Sequence, residues 1–98
     1  MPEALVIGQN VTADELSLPA AWRLAIAMHQ QNYLEGARQL YERILALVPE
    51  HPDALHFLGM LLHQQGDTAR AIELIERALA LAPAYAEAYS STLSDLSD

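Results

Sequence analysis

Apolar residues along the chain recur at the spacing of amphipathic helices. Leu55, Leu58, Leu61 and Leu62 follow the i, i+3, i+6, i+7 pattern of one helical face. Gly66 then interrupts the pattern, and glycine favours the positive φ at which many helices end. A second stripe precedes Pro83 and comprises Ala71, Ile72, Leu74, Ile75, Ala78, Leu79 and Leu81. Pro52 or Asp53 is expected to open the first helix and Asp67 or Thr68 to cap the second.

The same two-helix pattern occurs twice. A shift of 34 residues lays residues 18–51 over residues 52–85, and thirteen of those positions are identical. Asn32 falls where Gly66 lies, and Asn is the next best residue for a positive φ. A partial third copy covers residues 86–98, where Tyr85, Tyr89, Leu93 and Leu96 are expected on one helical face. That segment is either a terminal cap or an incomplete third repeat, and the pattern leaves both interpretations open.

Residues 1–17 show no repeat and are predicted to form a loose arm. Thr12 and Glu15 have capping-box spacing, which would start a short helix before Pro19. Alternatively, Ser17 caps a helix whose first turn contains Pro19, since proline is tolerated there. We favour the second alternative.

The period and the core columns resemble the tetratricopeptide repeat. The matching positions are Leu55, Leu58, Gly59, Leu62, Ala71, Ile75, Ala78 and Pro83 in one copy, and Leu24, Ala25, Met28, Ala37, Tyr41, Ile44 and Pro49 in the other. Two departures are Ala21, where the family has a large residue, and Ile44, where it has a small one. The resemblance implies an all-α, right-handed superhelical stack of antiparallel helix pairs with about five helices. Its expected parts are repeat one (18–51), repeat two (52–85) and a C-terminal helix (86–98).

The resemblance also implies a non-catalytic protein–protein interaction module whose first helices form a concave groove for a partner's peptide or helix. The groove columns transfer to Trp22, Ile26, His29, Gln30, Asp53, His56, Met60, His63, Gln64, Glu87 and Ser90. Apolar side chains rimmed by His and Gln favour an apolar or weakly basic segment. Three alternatives stay open: the arm with Leu5-Val6-Ile7 covers this groove, the chain is a homodimeric or higher homo-oligomerisation module, or it is the N-terminal scaffold of a larger glycosyltransferase or sulfotransferase.

Composition and charge narrow the possible functions. Ala and Leu supply more than a third of the residues, which favours helices over strands or disorder. The net charge of −8, with 13 acidic and 5 basic residues, is unfavourable for nucleic acids and anionic membranes. The absence of cysteine excludes disulfides, thiol catalysis and cysteine-ligated zinc. We expect a cytoplasmic protein without a membrane span or cofactor.

The histidines and serines do not form a convincing chemical motif. His29, His56 and His63 share the groove columns, but zinc requires ligands that converge to about 2.0–2.1 Å, so groove or surface roles are favoured. The serines of the last segment have no histidine nearby in sequence, so catalysis is not expected. Some tetratricopeptide repeats bind a partner's terminal carboxylate with cationic side chains, and none occurs in these columns. We therefore expect no carboxylate clamp and no metal site.

Overall fold

The computed structural model describes residues 17–97, and this part of the chain contains helices and turns without strands. The five α-helices are α1 (Leu18–Gln30), α2 (Leu34–Leu47), α3 (Pro52–Gln64), α4 (Thr68–Leu81) and α5 (Ala86–Ser97). A short 3₁₀ turn (Pro83–Tyr85) connects the last two. The bounds of α1 to α4 fall inside the two repeats that the 34-residue shift defines.

Side-chain caps are present at the starts of α1, α3 and α4. The Ser17 hydroxyl accepts from the Ala20 N–H at 3.3 Å, which confirms the second of the two alternatives for the first helix. The competing start at Thr12 and Glu15 lies outside the described residues. Asp67, the other predicted cap, accepts from the Arg70 N–H at 3.3 Å.

An unpredicted cap lies at the position that corresponds to Ser17 in the second repeat. Nδ1 of His51 accepts from the Ala54 N–H at 3.1 Å, and Pro52 is the first residue of α3. Histidine is not among the usual capping residues, so the sequence pattern pointed to the proline and the aspartate after it. The 34-residue equivalence therefore extends to the residue that precedes each first helix.

The turn inside each repeat uses a residue with positive φ. Asn32 has a φ of 67° and Gly66 a φ of 94°, at equivalent positions after α1 and α3. Only glycine and a few polar residues adopt this conformation at low cost. The prediction that Asn32 takes the role of Gly66 is confirmed.

The helices stack in chain order. The pairs α1–α2 and α3–α4 each pack closely, α2 packs on α3, and α4 packs on α5. The small residues in the family columns, Ala25, Ala37, Gly59, Ala71 and Ala78, are all buried. A Cβ on Gly59 would lie 2.7 Å from Cγ1 of Ile75, so the approach of α3 to α4 requires glycine there. The architecture is the predicted all-α stack of helix pairs.

The two departures from the family pattern pack against each other. Ala21 and Ile44 belong to one small cluster with Ala54, and Leu45 lies against it. Ile44 is 1% exposed and Ala21 is 6% exposed. The small residue on α1 therefore makes room for the large residue on α2. The two residue sizes are exchanged relative to the family pattern, and the packing is not loosened.

The last helix buries only part of its predicted apolar face. Tyr89 and Leu96 are buried and Leu93 is half-buried. The expectation for Tyr85 was wrong, since its side chain is 64% exposed. Tyr85 lies in the 3₁₀ turn that follows Pro83, before α5 begins at Ala86, so the helical spacing does not extend to it.

Candidate binding face

Two adjoining hollows lie along the face formed by the first helices, α1, α3 and α5. The α1–α3 hollow has a volume of about 340 Å³ and is lined by Ile26, His29, Gln30, Phe57, Met60 and Gln64. The α3–α5 hollow has a volume of about 280 Å³ and is lined by His29, Met60, His63, Gln64, Thr92, Asp95 and Leu96. His29, Met60 and Gln64 line both, so the two hollows form one continuous face, which we call the first-helix face.

His29 holds this face together by bridging three helices. Its Nδ1 lies 3.0 Å from the Tyr41 hydroxyl on α2, and its Nε2 lies 2.6 Å from Oε1 of Gln64 on α3. The Gln64 oxygen can only accept, so Nε2 donates to it, and in the neutral imidazole the Tyr41 hydroxyl then donates to Nδ1. Burial raises the pKa of Tyr41 from 10.0 to about 12, so its hydroxyl stays protonated well beyond neutral pH. The amide nitrogen of Gln64 takes no part in this bond.

Trp22 lines neither hollow. Its ring packs between helices, with centroids 5.9 Å from Tyr41, 5.2 Å from His51 and 5.5 Å from Phe57. The side chain is half-buried, and such aromatic contacts stabilise the junction of the two repeats. A binding role for Trp22 therefore stays a prediction, while its packing role is visible.

Asp53 and His56 connect α3 to the last helix. The Tyr89 hydroxyl donates to Oδ1 of Asp53 at 3.2 Å, and Nε2 of His56 lies 3.0 Å from the Thr92 hydroxyl. Burial lowers the pKa of His56, although the negative charge of Asp53 opposes this shift. Burial and the nearby Asp53 raise the pKa of Tyr89. These two groove columns contribute to the α3–α5 contact, and neither residue lines a hollow.

The groove positions expected in the partial third repeat fit the structure least well. Glu87 and Ser90 are exposed and line neither hollow, whereas Thr92, Asp95 and Leu96 line the α3–α5 hollow. Phe57 is a further lining residue that the sequence analysis missed. Its equivalent in repeat one is the exposed Arg23, so the repeat columns carry no signal for it. The i, i+3 spacing of Phe57 and Met60 was the available clue.

The four histidines each have a protein partner of their own. His29 binds Tyr41 and Gln64, and His51 accepts from a backbone N–H. His56 binds Thr92 and His63 binds Thr68, the latter at 2.9 Å. Within residues 17–97, no group of three or more His, Asp or Glu side chains is arranged to hold a metal ion. The ring nitrogens thus serve caps and helix contacts.

Charges on the first-helix face are few. Asp95 is the acidic side chain among the lining residues, and no arginine is among them. The ion pairs of Arg38 with Glu35 and Glu42 lie on α2, outside this lining. The face therefore presents an apolar strip bordered by amide, imidazole and hydroxyl groups.

None of the described helices is long and apolar enough to cross a bilayer.

The fold and this face define an α-helical repeat protein with an open, partly apolar surface along its first helices. The family description "Tetratricopeptide repeat" matches residues 24–86, and the chain belongs to that family. Tetratricopeptide repeats generally mediate protein–protein interactions, and the family is typically non-catalytic. No curated protein matched the chain.

Proposed function

We propose that the chain is a non-catalytic interaction module that binds an apolar or weakly basic segment of a partner protein on the first-helix face. The observation that carries this proposal is the continuity of the two hollows through Met60, flanked by Ile26 and Phe57. These three side chains are half-buried, so each keeps apolar area that a partner can remove from water.

The polar groups of the face favour an ordered mode of binding. His29 is fixed between Tyr41 and Gln64, so a partner does not have to immobilise it. The amide nitrogen of Gln64 supports hydrogen bonding to a peptide carbonyl, and Asp95 favours a basic residue at the α5 end. These features support a short segment that places apolar side chains in both hollows.

Selection of peptides from a random display library on the immobilised chain tests the proposal. Selected peptides, remade synthetically, are expected to be apolar and poor in acids. Loss of the Met60 side chain should weaken them about tenfold or more, because a buried Met contributes about 1.5–3 kcal/mol and each 1.4 kcal/mol is tenfold. Binding is measured by calorimetry for the parent and for Met60→Ala.

The matched control is Leu47→Ala, at an exposed leucine that lines neither hollow. This control should keep the parent's affinity. Trp22→Ala is a poor test, because its loss removes contacts to Tyr41, His51 and Phe57. Equal affinity of Met60→Ala and the parent would place the binding surface elsewhere and refute the proposal.

A further inference from the structure

Two further hollows adjoin along the second helices of the repeats, α2 and α4. One has a volume of about 720 Å³, and its lining includes Leu24, Met28, Leu40, Glu42 and Arg43. The other is a cleft between the repeats of about 290 Å³, and its lining includes Glu42, Leu45, Arg70, Leu74 and Arg77. Glu42 lines both, and neither shares a lining residue with the first-helix face. We call this surface the second-helix face.

The charge of the second-helix face is opposite in sign to that of the chain. Three of the five arginines, Arg43, Arg70 and Arg77, line it, and Glu42 is the acid that lines it. The whole chain, in contrast, has 13 acidic residues and a net charge of −8. A concentration of positive charge on one surface of an acidic protein attracts acidic partners to that surface.

The two arginines of the cleft have no partner in the described part of the chain. The side chains of Arg70 and Arg77 are exposed and make no hydrogen bond or ion pair there, although Glu73 precedes Arg77 by one helical turn. Glu42, on the other wall of the cleft, is paired with Arg38 at 2.9 Å. Both guanidinium groups can therefore bind carboxylates from outside the chain, for which their planar geometry is well suited.

The spacing of the two arginines describes the ligand further. Arg70, Leu74 and Arg77 follow the i, i+4, i+7 pattern of one face of α4. The arginines are thus about 10.5 Å apart along the helix axis, at about 1.5 Å per residue. Leu74 is buried between them, and the half-buried Leu45 lies on the opposite wall. The cleft therefore offers apolar contact between two cations that are two helical turns apart.

We propose that the second-helix face binds an acidic amphipathic helix of a partner protein. Two carboxylates, two turns apart on that helix, bind Arg70 and Arg77, and an apolar side chain between them enters the cleft over Leu74. Charge complementarity selects this occupant, since a basic segment would be repelled here and fits Asp95 on the first-helix face instead. The proposal goes beyond the function proposed above, because it concerns a different surface and a ligand of opposite charge.

Titration of the isotope-labelled full chain with a synthetic helix tests the proposal by NMR. The probe is a capped, Ala-rich peptide of about 16 residues, long enough to form helix, with two Glu residues two turns apart and a Leu between them. Amide signals of Leu74 and Arg77 should shift and saturate, whereas those of Gln30 and Gln64 on the first-helix face should stay unchanged. Added salt should weaken the binding.

Matched peptides test the charge and the spacing separately. Replacing both Glu residues of the probe by Gln should weaken binding about tenfold, because an exposed ion pair contributes up to about fivefold and two are lost. A peptide of the same composition with the two Glu residues adjacent should also bind more weakly than the probe, since only one of them can then face an arginine of the cleft.

Variants of the chain test the two arginines. Arg70→Gln and Arg77→Gln should each weaken the probe by up to about fivefold, and the double variant by about tenfold. Arg23→Gln is the matched control, because it removes the same charge from an exposed position that lines neither hollow. Met60→Ala should also keep the parent's affinity for this probe, so the two proposed surfaces are tested independently.

Four results would overturn the proposal. Equal binding of the probe by the parent and the double variant would show that the arginines only cover apolar surface with their stems. Shifts at Gln30 and Gln64 instead would place the acidic helix on the first-helix face. Shifts at Leu74 on raising the protein concentration alone would assign the second-helix face to a second copy of the chain. Unchanged signals at millimolar probe would show that this face does not bind an acidic helix.

Discussion

The two repeats share their helices, caps and turns, yet they fill equivalent positions differently. In repeat two the buried pair Leu55 and Ala78 places the large residue on the first helix and the small one on the second. In repeat one the equivalent pair, Ala21 and Ile44, has the sizes exchanged. The total side-chain volume at these columns is nearly preserved, which shows that the fold requires a filled space between helices more than a particular residue at either position.

A second difference concerns neighbours. Leu24 and Leu58 are the same residue in the same column, but within residues 17–97 only Leu58 has another repeat packed over it. Burial in a repeat protein therefore depends on stacking as much as on the side chain itself, because each repeat contacts only the repeats beside it.

The largest expected effects come from breaking the size exchange. Ile44→Ala should lower the free energy of unfolding by about 2–5 kcal/mol, since Ile44 is fully buried and its loss leaves a cavity. Ala21→Leu should cost about 1–3 kcal/mol by overpacking. The double variant imitates repeat two and should lose less than the two single variants together, by about 0.5–3 kcal/mol. Urea denaturation of all four proteins measures this cycle.

Leu47→Ala serves as a control for that cycle, because Leu47 is 74% exposed and its loss should cost less than about 0.5 kcal/mol. Strict additivity of Ala21→Leu and Ile44→Ala would show that the two side chains do not share one space. The comparison of the repeats would then reduce to two unrelated substitutions.

Much of the fold was predictable because its signals are local. The apolar stripe before Pro83 and the 34-residue period can be read directly from the order of residues. The turns at Asn32 and Gly66 follow from the backbone preferences of those residues. The pairing of Ala21 with Ile44 was not predictable, since each departure could be read only by itself. Their compensation depends on contact across two helices.

The candidate binding face was predictable only where the repeat columns coincide with it. Ile26, His29, Gln30, Met60, His63 and Gln64 line the hollows as the columns place them. Phe57 and Leu96 do not follow the columns, because their exposure depends on how α3 and α5 turn against their neighbours. The bridge from His29 to Tyr41 and Gln64 also joins three helices, and no single stretch of sequence encodes it.

A smaller effect is expected from the glycine that distinguishes α3 from α1. Gly59→Leu should cost on the order of 1–3 kcal/mol, because even its Cβ would lie 2.7 Å from Ile75 and 3.0 Å from the Ala71 carbonyl oxygen. Ala25 occupies the equivalent position in repeat one. The position of Gly59 in α3 therefore tolerates less side-chain volume than its equivalent in α1. Thermal and urea unfolding measure the loss.

Gly36→Ala is the matched control for Gly59→Leu. Its Cβ would meet the terminal methyl of Met28, a flexible side chain that is able to move aside. The gain in helix propensity, up to about 1 kcal/mol, should then make this variant as stable as the parent or more stable. If Gly59→Leu melts like Gly36→Ala, the inferred close packing of α3 on α4 is wrong.

The smallest expected effect concerns the column that holds Trp22 in repeat one and His56 in repeat two. Burial lowers the pKa of folded His56 below its usual 6.5, so the unfolded chain takes up a proton first as the pH falls. The stability that His56 contributes is complete above about pH 6.5 and is lost progressively below it. The melting temperature of the parent should therefore decrease from pH 7.5 to pH 5.5, and that of His56→Gln should decrease less.

This pH range lies above the pH at which Glu35 titrates, since Arg38 lowers the pKa of that carboxylate from 4.5. An unchanged pH dependence in His56→Gln would show that repeat two gains no pH sensitivity from this column.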